Sequence, residues 1–187
     1  MLRGNRTTKI NAENFNAFRS YNYPPLATVG IHIKYEYDRI RKADPNLPMH
    51  PHYVFDTNVL ILTIFPGIQE NVVSNIFQSP GLKAVVLKTY GSGNAPQKSW
   101  FIRLLKEATQ RGIIIVNISQ CPAGMVEMGR YETGLHLLDA GVISGYDATV
   151  ESVLTKLMFL LGHGLSPREI RNEMSRSIAG EFSRPEL

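Results

Sequence analysis

From residue 58 onward the chain alternates short β-branched runs with amphipathic stretches, and this alternation admits few folds. Residues 58–65 are apolar and stop at Pro66-Gly67; residues 83–88 and 113–118 repeat the pattern, and 142–144 form a brief fourth run. Between them, residues 69–78 place Val72, Val73, Ile76 and Phe77 on one helical face. Residues 98–110 do the same with Phe101, Ile102, Leu104, Leu105 and Ala108, and 131–140 read as a third helix. Gly112 and Gly141 stand where a helix-terminating glycine belongs. Residues 149–161 read as a long helix capped by Thr149, and Ser166-Pro167-Arg168-Glu169 opens a last one as a capping box with proline in the first turn. Runs that are apolar throughout, rather than alternating with polar residues, are buried on both faces and belong to a parallel sheet. The expectation is an α/β fold: a four-stranded parallel sheet, flavodoxin-like or Rossmann-like, with helices on both faces.

The first fifty residues differ. Residues 2–18 are polar with little periodicity, and Tyr21-Asn22-Tyr23-Pro24-Pro25 breaks any helix. Residues 30–37 alternate as a half-buried strand does. Residues 44–51 carry three prolines and read as a linker. The chain is therefore expected to divide at about residue 50, with the segment before it packed separately or loosely.

Composition removes several classes of function. No apolar run approaches the ~20 residues that span a bilayer, and no apolar stretch follows the basic N-terminus, so neither a membrane span nor a signal peptide is expected. One cysteine among 187 residues forbids an internal disulfide and fits a reducing compartment. The net charge of +4 comes with acidic and basic residues intermixed, and the basic stretches at 3–9 and 39–42 lack interleaved aromatics, so no nucleic-acid partner is expected.

In such a sheet ligands bind beyond the carboxyl ends of the strands. Of the loops there, Thr89-Tyr90-Gly91-Ser92-Gly93-Asn94-Ala95-Pro96 is the most informative. Its glycines permit close approach of the backbone, and Asn94 offers both an acceptor and a donor. Pro96 stands where a dinucleotide fingerprint would need its third glycine, so no nucleotide cofactor is expected. Cys121 follows a strand, and without a visible base it reads as a half-buried small apolar side chain. His50 and His52 lack a third ligand, His136 and His163 read as structural, and no metal is expected. Arg6-Thr7-Thr8-Lys9 sets a lysine beside two hydroxyls, either a plain polar turn or, if partly desolvated, a group able to move a proton or orient a carboxylate.

Taken together, Arg3-Gly4-Asn5-Arg6-Thr7-Thr8-Lys9, Phe15-Asn16-Ala17-Phe18 and Asn22-Tyr23-Pro24-Pro25-Leu26 resemble the end of the N-terminal domain of cytoplasmic (type I) bacterial L-asparaginases. Tyr90-Gly91-Ser92-Gly93-Asn94-Ala95-Pro96, Val116-Asn117-Ile118-Ser119-Gln120-Cys121 and the run from Gly141 to Glu151 are similar to their C-terminal domain. The resemblance covers nearly the whole chain. It implies that residues 1–50 are the end of an asparaginase N-terminal domain plus a linker, and residues 51–187 the C-terminal domain.

That family hydrolyses L-asparagine to L-aspartate and ammonia with a threonine nucleophile in a TGGT-type loop and a Thr-Asp pair in a GTDT-type loop. Neither loop is present in these 187 residues, so the chain alone is expected to be inactive. Lys9 is similar to the lysine that completes the machinery. The resemblance further implies that Asn94 contributes to substrate binding in a neighbouring subunit, within a homodimer or homotetramer. It also implies an effector pocket of Thr8, Lys88 and Cys121, where position 88 is commonly arginine. The alternative is a stand-alone α/β module that binds a small amino acid without catalysis.

Overall fold

A computed structural model describes residues 1–129 and 132–184 of the chain. Four strands, β5 (Val59–Thr63), β6 (Ala84–Thr89), β7 (Ile114–Ser119) and β8 (Ile143–Ser144), form one parallel sheet in the order β5-β6-β7-β8. The register pairs Val85 with Ile115 and Val116 with Ile143. Consecutive strands are neighbours, so crossovers of one hand stack their helices on one face. These helices are α1 (Glu70–Phe77), α2 (Ser99–Gln110) and α3 (Glu132–Asp139). The opposite face is covered by the two helices that follow the last strand, α4 (Val150–Gly162) and α5 (Pro167–Met174). The α/β sheet with helices on both faces is thus the architecture expected from the apolar runs. The expected helix start at Tyr131 lies outside the described residues.

The pleat divides the core. Val85 and Leu87 point to the first layer and meet Phe101, Leu105 and Leu137; Ala84 and Val86 point to the second and meet Val153, Leu157 and Ile170. All ten are at most 2% exposed, and the four sheet residues are fully buried. The caps follow the sequence: the Thr149 hydroxyl accepts from the Ser152 amide, and Ser166 with Glu169 forms a reciprocal capping box.

The N-terminal segment makes two small antiparallel ribbons, β1 (Thr8–Lys9) with β2 (Phe18–Arg19), and β3 (Ala27–Val29) with β4 (Ile33–Tyr35). The half-buried strand expected over residues 30–37 is instead a three-residue exposed strand, with Ile31 fully exposed in the turn. Its alternation is real, but no layer covers it. Residues 1–6, by contrast, are docked firmly. The Ser152 hydroxyl donates to the Asn5 carbonyl at 2.5 Å, and the Asn5 amide donates to Ala179 O at 2.9 Å. The proline-rich stretch leads into a strap across α4: the Asp56 amide donates to Met158 O, and the imidazoles of His52 and His163 lie 2.8 Å apart.

Candidate functional site

Strands β6 and β7 end at the same level, Thr89 paired with Ser119; Lys88 and Ser119 face the N-terminal segment, and Thr89 is buried. Gln120 ties the edge together, its side-chain amide donating to Ile64 O at 2.7 Å and Lys88 O at 3.0 Å. Beyond this edge lies a cavity of about 160 Å³, closed by β1, the turn after β7 and the first turn of α4. Thr8, Lys88 and Cys121 all line it. Three positions far apart in sequence are brought together because the sheet presents the ends of β6 and β7 side by side while residues 1–8 fold back over them.

The N-terminal segment is held there by a buried ion pair. The Arg6 guanidinium donates to both Asp147 oxygens at 2.9 and 2.5 Å, and the two side chains are 1% and 4% exposed. Asp147 also accepts from the Ser183 amide at 2.7 Å, and Arg6 donates to Asn22 O at 3.2 Å. Asn22 in turn clamps the loop after β7, accepting from the Gly124 amide and donating to its carbonyl. Next to Asp147, Tyr146 adopts φ +54°, uncommon for a residue with a Cβ, and stacks on Phe182 at 4.9 Å.

Thr8 lies two residues beyond this anchor. Its hydroxyl donates to Glu151 Oε1 at 2.5 Å. Lys9, the next residue, is exposed and is not part of the cavity wall, because successive residues of a strand face opposite ways. Asn94 is half-buried in the tight Tyr90–Asn94 loop and also lies outside the cavity. That loop is fixed from below by a buried network: the Thr89 hydroxyl donates to the Asn117 side-chain carbonyl at 2.7 Å, and the Asn117 amide donates to Gly93 O at 3.4 Å. Gly93 has φ +112°, and a Cβ there would lie 2.9 Å from Val126. Cys121 is exposed rather than half-buried. It sits in the turn just past β7, where the chain leaves the sheet and no second layer covers it, and its amide donates to Ser119 Oγ at 2.9 Å.

A larger cleft of about 580 Å³ lies between α1 and α2, far from the strand ends. Its charges are matched to one another, Arg103 pairing with Glu70 and Glu107, and it gathers no catalytic constellation. The described residues contain no group of three or more His, Cys, Asp or Glu side chains able to hold a metal ion, and no helix long and apolar enough to cross a membrane.

Residues 58–174 match the glutaminase/asparaginase C-terminal domain family, and residues 1–41 match the N-terminal asparaginase domain family. The chain belongs to the asparaginase family. This asparaginase-family chain is 45% identical to L-asparaginase 1 of Escherichia coli (strain K12) over 184 residues, which is 98% of the chain and 54% of that protein. It is 39% identical to the 60 kDa lysophospholipase of Mus musculus over 186 residues, 99% of the chain and 33% of that protein. The structure superposes on L-asparaginase I of Vibrio cholerae with a TM-score of 0.91 and 41% identity, covering 98% of the chain and 55% of that structure. The chain thus spans about half the length of these two asparaginases.

Several residues of the cavity and its anchor escaped the sequence reading. Asp147 and Glu151 fall inside the motif from Gly141 to Glu151, and Arg6 inside the first motif, but nothing local in the sequence pairs position 6 with position 147. Arg19 and Tyr21 reach the cavity wall only because β2 pairs with β1.

Proposed function

We propose that this chain is the C-terminal part of a cytoplasmic, type I L-asparaginase, which hydrolyses L-asparagine to L-aspartate and ammonia. In this reading residues 1–50 are the end of the N-terminal domain plus its linker and residues 51–187 the C-terminal domain. Lys9 is the lysine that assists a threonine nucleophile carried by a preceding segment. Asn94, which closes its braced loop by pairing with Tyr90, binds substrate in the site of a neighbouring subunit of a homodimer or homotetramer. The exposed Leu135 and Leu138 on α3 offer apolar surface for such assembly. Thr8, Lys88 and Cys121 form an effector pocket for a small amino acid.

The observation that carries the reading is the convergence of Thr8, Lys88 and Cys121 on one cavity. The chemistry agrees. An acyl-transfer site needs an attacking hydroxyl, a group to take its proton and donors for the developing oxyanion. These residues supply Lys9 and a substrate wall, and both neighbouring hydroxyls are engaged elsewhere, Thr7 donating to Arg3 O and Thr8 to Glu151. The 187-residue chain alone is therefore inactive.

The test is ammonia release from L-asparagine by two proteins: this chain, and a chimera in which it follows the segment of Escherichia coli L-asparaginase 1 that precedes the matched region. Turnover by the chimera, lost on Lys9→Ala, and none by the chain alone is the expected result. Turnover by the chain alone would overturn the division of labour. A second reading is a module that binds a small amino acid without catalysis. A chimera that binds L-asparagine but releases no ammonia would select it.

A further inference from the structure

Two histidines 111 positions apart meet at the surface, away from the cavity at the strand ends. His52 lies in the strap, and His163 follows the last turn of α4 as its C-terminal cap. Both are exposed, and His52 Nδ1 is 2.8 Å from His163 Nε2. The other nitrogen of His163, Nδ1, lies 2.7 Å from Phe159 O. A carbonyl oxygen only accepts, so Nδ1 carries the proton and donates, and Nε2 presents a lone pair toward His52. The hydrogen bond between the rings therefore runs from His52 Nδ1–H to His163 Nε2. Phe159 packs against both rings, edge to face on His52 at 5.4 Å between centroids and tilted on His163 at 4.2 Å.

A histidine that ligates a metal donates its other N–H to a carbonyl or carboxylate, which sets the tautomer and aims the lone pair. His163 already does so on Phe159 O. His52 reaches the matching state by a tautomer shift: the Nδ1 proton passes to water, and Nε2 takes one up. Both facing nitrogens then offer lone pairs, and no net proton is released. With zinc–nitrogen bonds of about 2.0–2.1 Å, tetrahedral geometry sets two nitrogens ~3.3 Å apart. The rings need open by only about 0.5 Å from their 2.8 Å. The strap can give that much: residues 48–52 are exposed, and the chain is next held at Asp56, by Met158 O at 2.9 Å and Lys83 at 2.6 Å. Water reaches the pair from outside and fills the remaining coordination positions.

We propose that His52 and His163 form a binding site for a divalent cation of the class that favours imidazole, and that the bound ion replaces the hydrogen bond between the rings and clips the strap to the end of α4. The site is separate from the amino-acid pocket proposed above and does not depend on it.

The test uses the 187-residue chain, free of any histidine tag, with Zn²⁺ as probe at about pH 8, where imidazole is neutral. Calorimetry reads binding, and limited proteolysis within residues 44–55 reads the strap. The wild type binds Zn²⁺, and saturation slows cleavage about fivefold or more, because the ion holds the segment closed. Mg²⁺, which takes oxygen ligands, does neither. His52→Asn keeps a donor for His163 Nε2 without the imidazole, and His163→Ala removes the other ligand. Each weakens binding about tenfold or more, and in neither does the strap respond to Zn²⁺. Amide protection of Val116 in the central strand, equal to that of the wild type, certifies that both are folded. Cys121→Ser, which removes the exposed thiol, binds as the wild type does. No Zn²⁺ binding by the wild type would overturn the site, as would binding that Cys121→Ser abolishes. Binding that survives in His163→Ala would place the ion on the strap alone, and binding that survives in His52→Asn would place it off the strap; either overturns the pair as the site. Binding with unchanged strap cleavage would overturn the clip.

Discussion

Arg6 and Asp147, separated by 141 positions, form a two-pronged ion pair at 2.9 and 2.5 Å, shut away from water. It fastens the N-terminal segment to the start of α4 and to the C-terminal tail through Ser183. Removing one partner leaves the other charged and buried without compensation. Asp147→Ala or Arg6→Ala should therefore cost about 3–5 kcal/mol. Arg6→Lys should also be costly, because an ammonium cannot reproduce the planar fork. Urea denaturation of the variants measures this, and a loss below ~1 kcal/mol would show that the pair holds nothing together.

A second buried pair gives a pH dependence. Burial alone would raise the Glu181 carboxyl, but hydrogen bonds from Lys156 at 2.7 Å and from the backbone amides of Ala179 and Ile178 outweigh it and hold the value at about 2. The folded value lies below the ordinary 4.5, so the stabilisation is fully present above about pH 4.5 and is lost as the pH falls toward 2. Glu181→Gln should flatten the stability curve between those limits, measured by denaturant titration at successive pH values.

Gly162 ends α4 directly beneath the strap: a Cβ there would meet the Val54 carbonyl carbon at 2.8 Å and Phe55 Cα at 2.9 Å. Both are backbone atoms, which cannot turn aside. Gly162→Ala should lift residues 53–55 from α4, although alanine is the better helix former. Limited proteolysis within residues 44–55 should accelerate, whereas unchanged cleavage would mean that the strap adjusts in place.

Within the proposed effector pocket, Lys88 stands where a guanidinium is common in the resemblance described above. Lys88→Arg should tighten L-asparagine binding several-fold by presenting a fork to the ligand carboxylate. Calorimetry on the 187-residue chain measures it, and weaker binding would place the ligand carboxylate elsewhere in the cavity.

The sequence by itself determined the four-stranded parallel sheet and the helices that cover it. Ala84 to Leu87 and Ile114 to Val116 are apolar at every position, and only a strand covered on both faces buries them all. The caps at Thr149 and Ser166 are equally local, since each bond spans three residues. Tertiary structure decided the rest. Alternation over residues 30–37 shows that a strand can form, but burial needs a covering layer, and none reaches Ile31. Cys121 is exposed because the chain leaves the sheet there, a matter of geometry rather than of residue type. The pairing of Arg6 with Asp147 and the meeting of Thr8 with Glu151 depend on how residues 1–8 fold back over the strand ends. Contacts across more than a hundred positions are set by packing of the whole molecule, and no local pattern of charges or apolar residues encodes them.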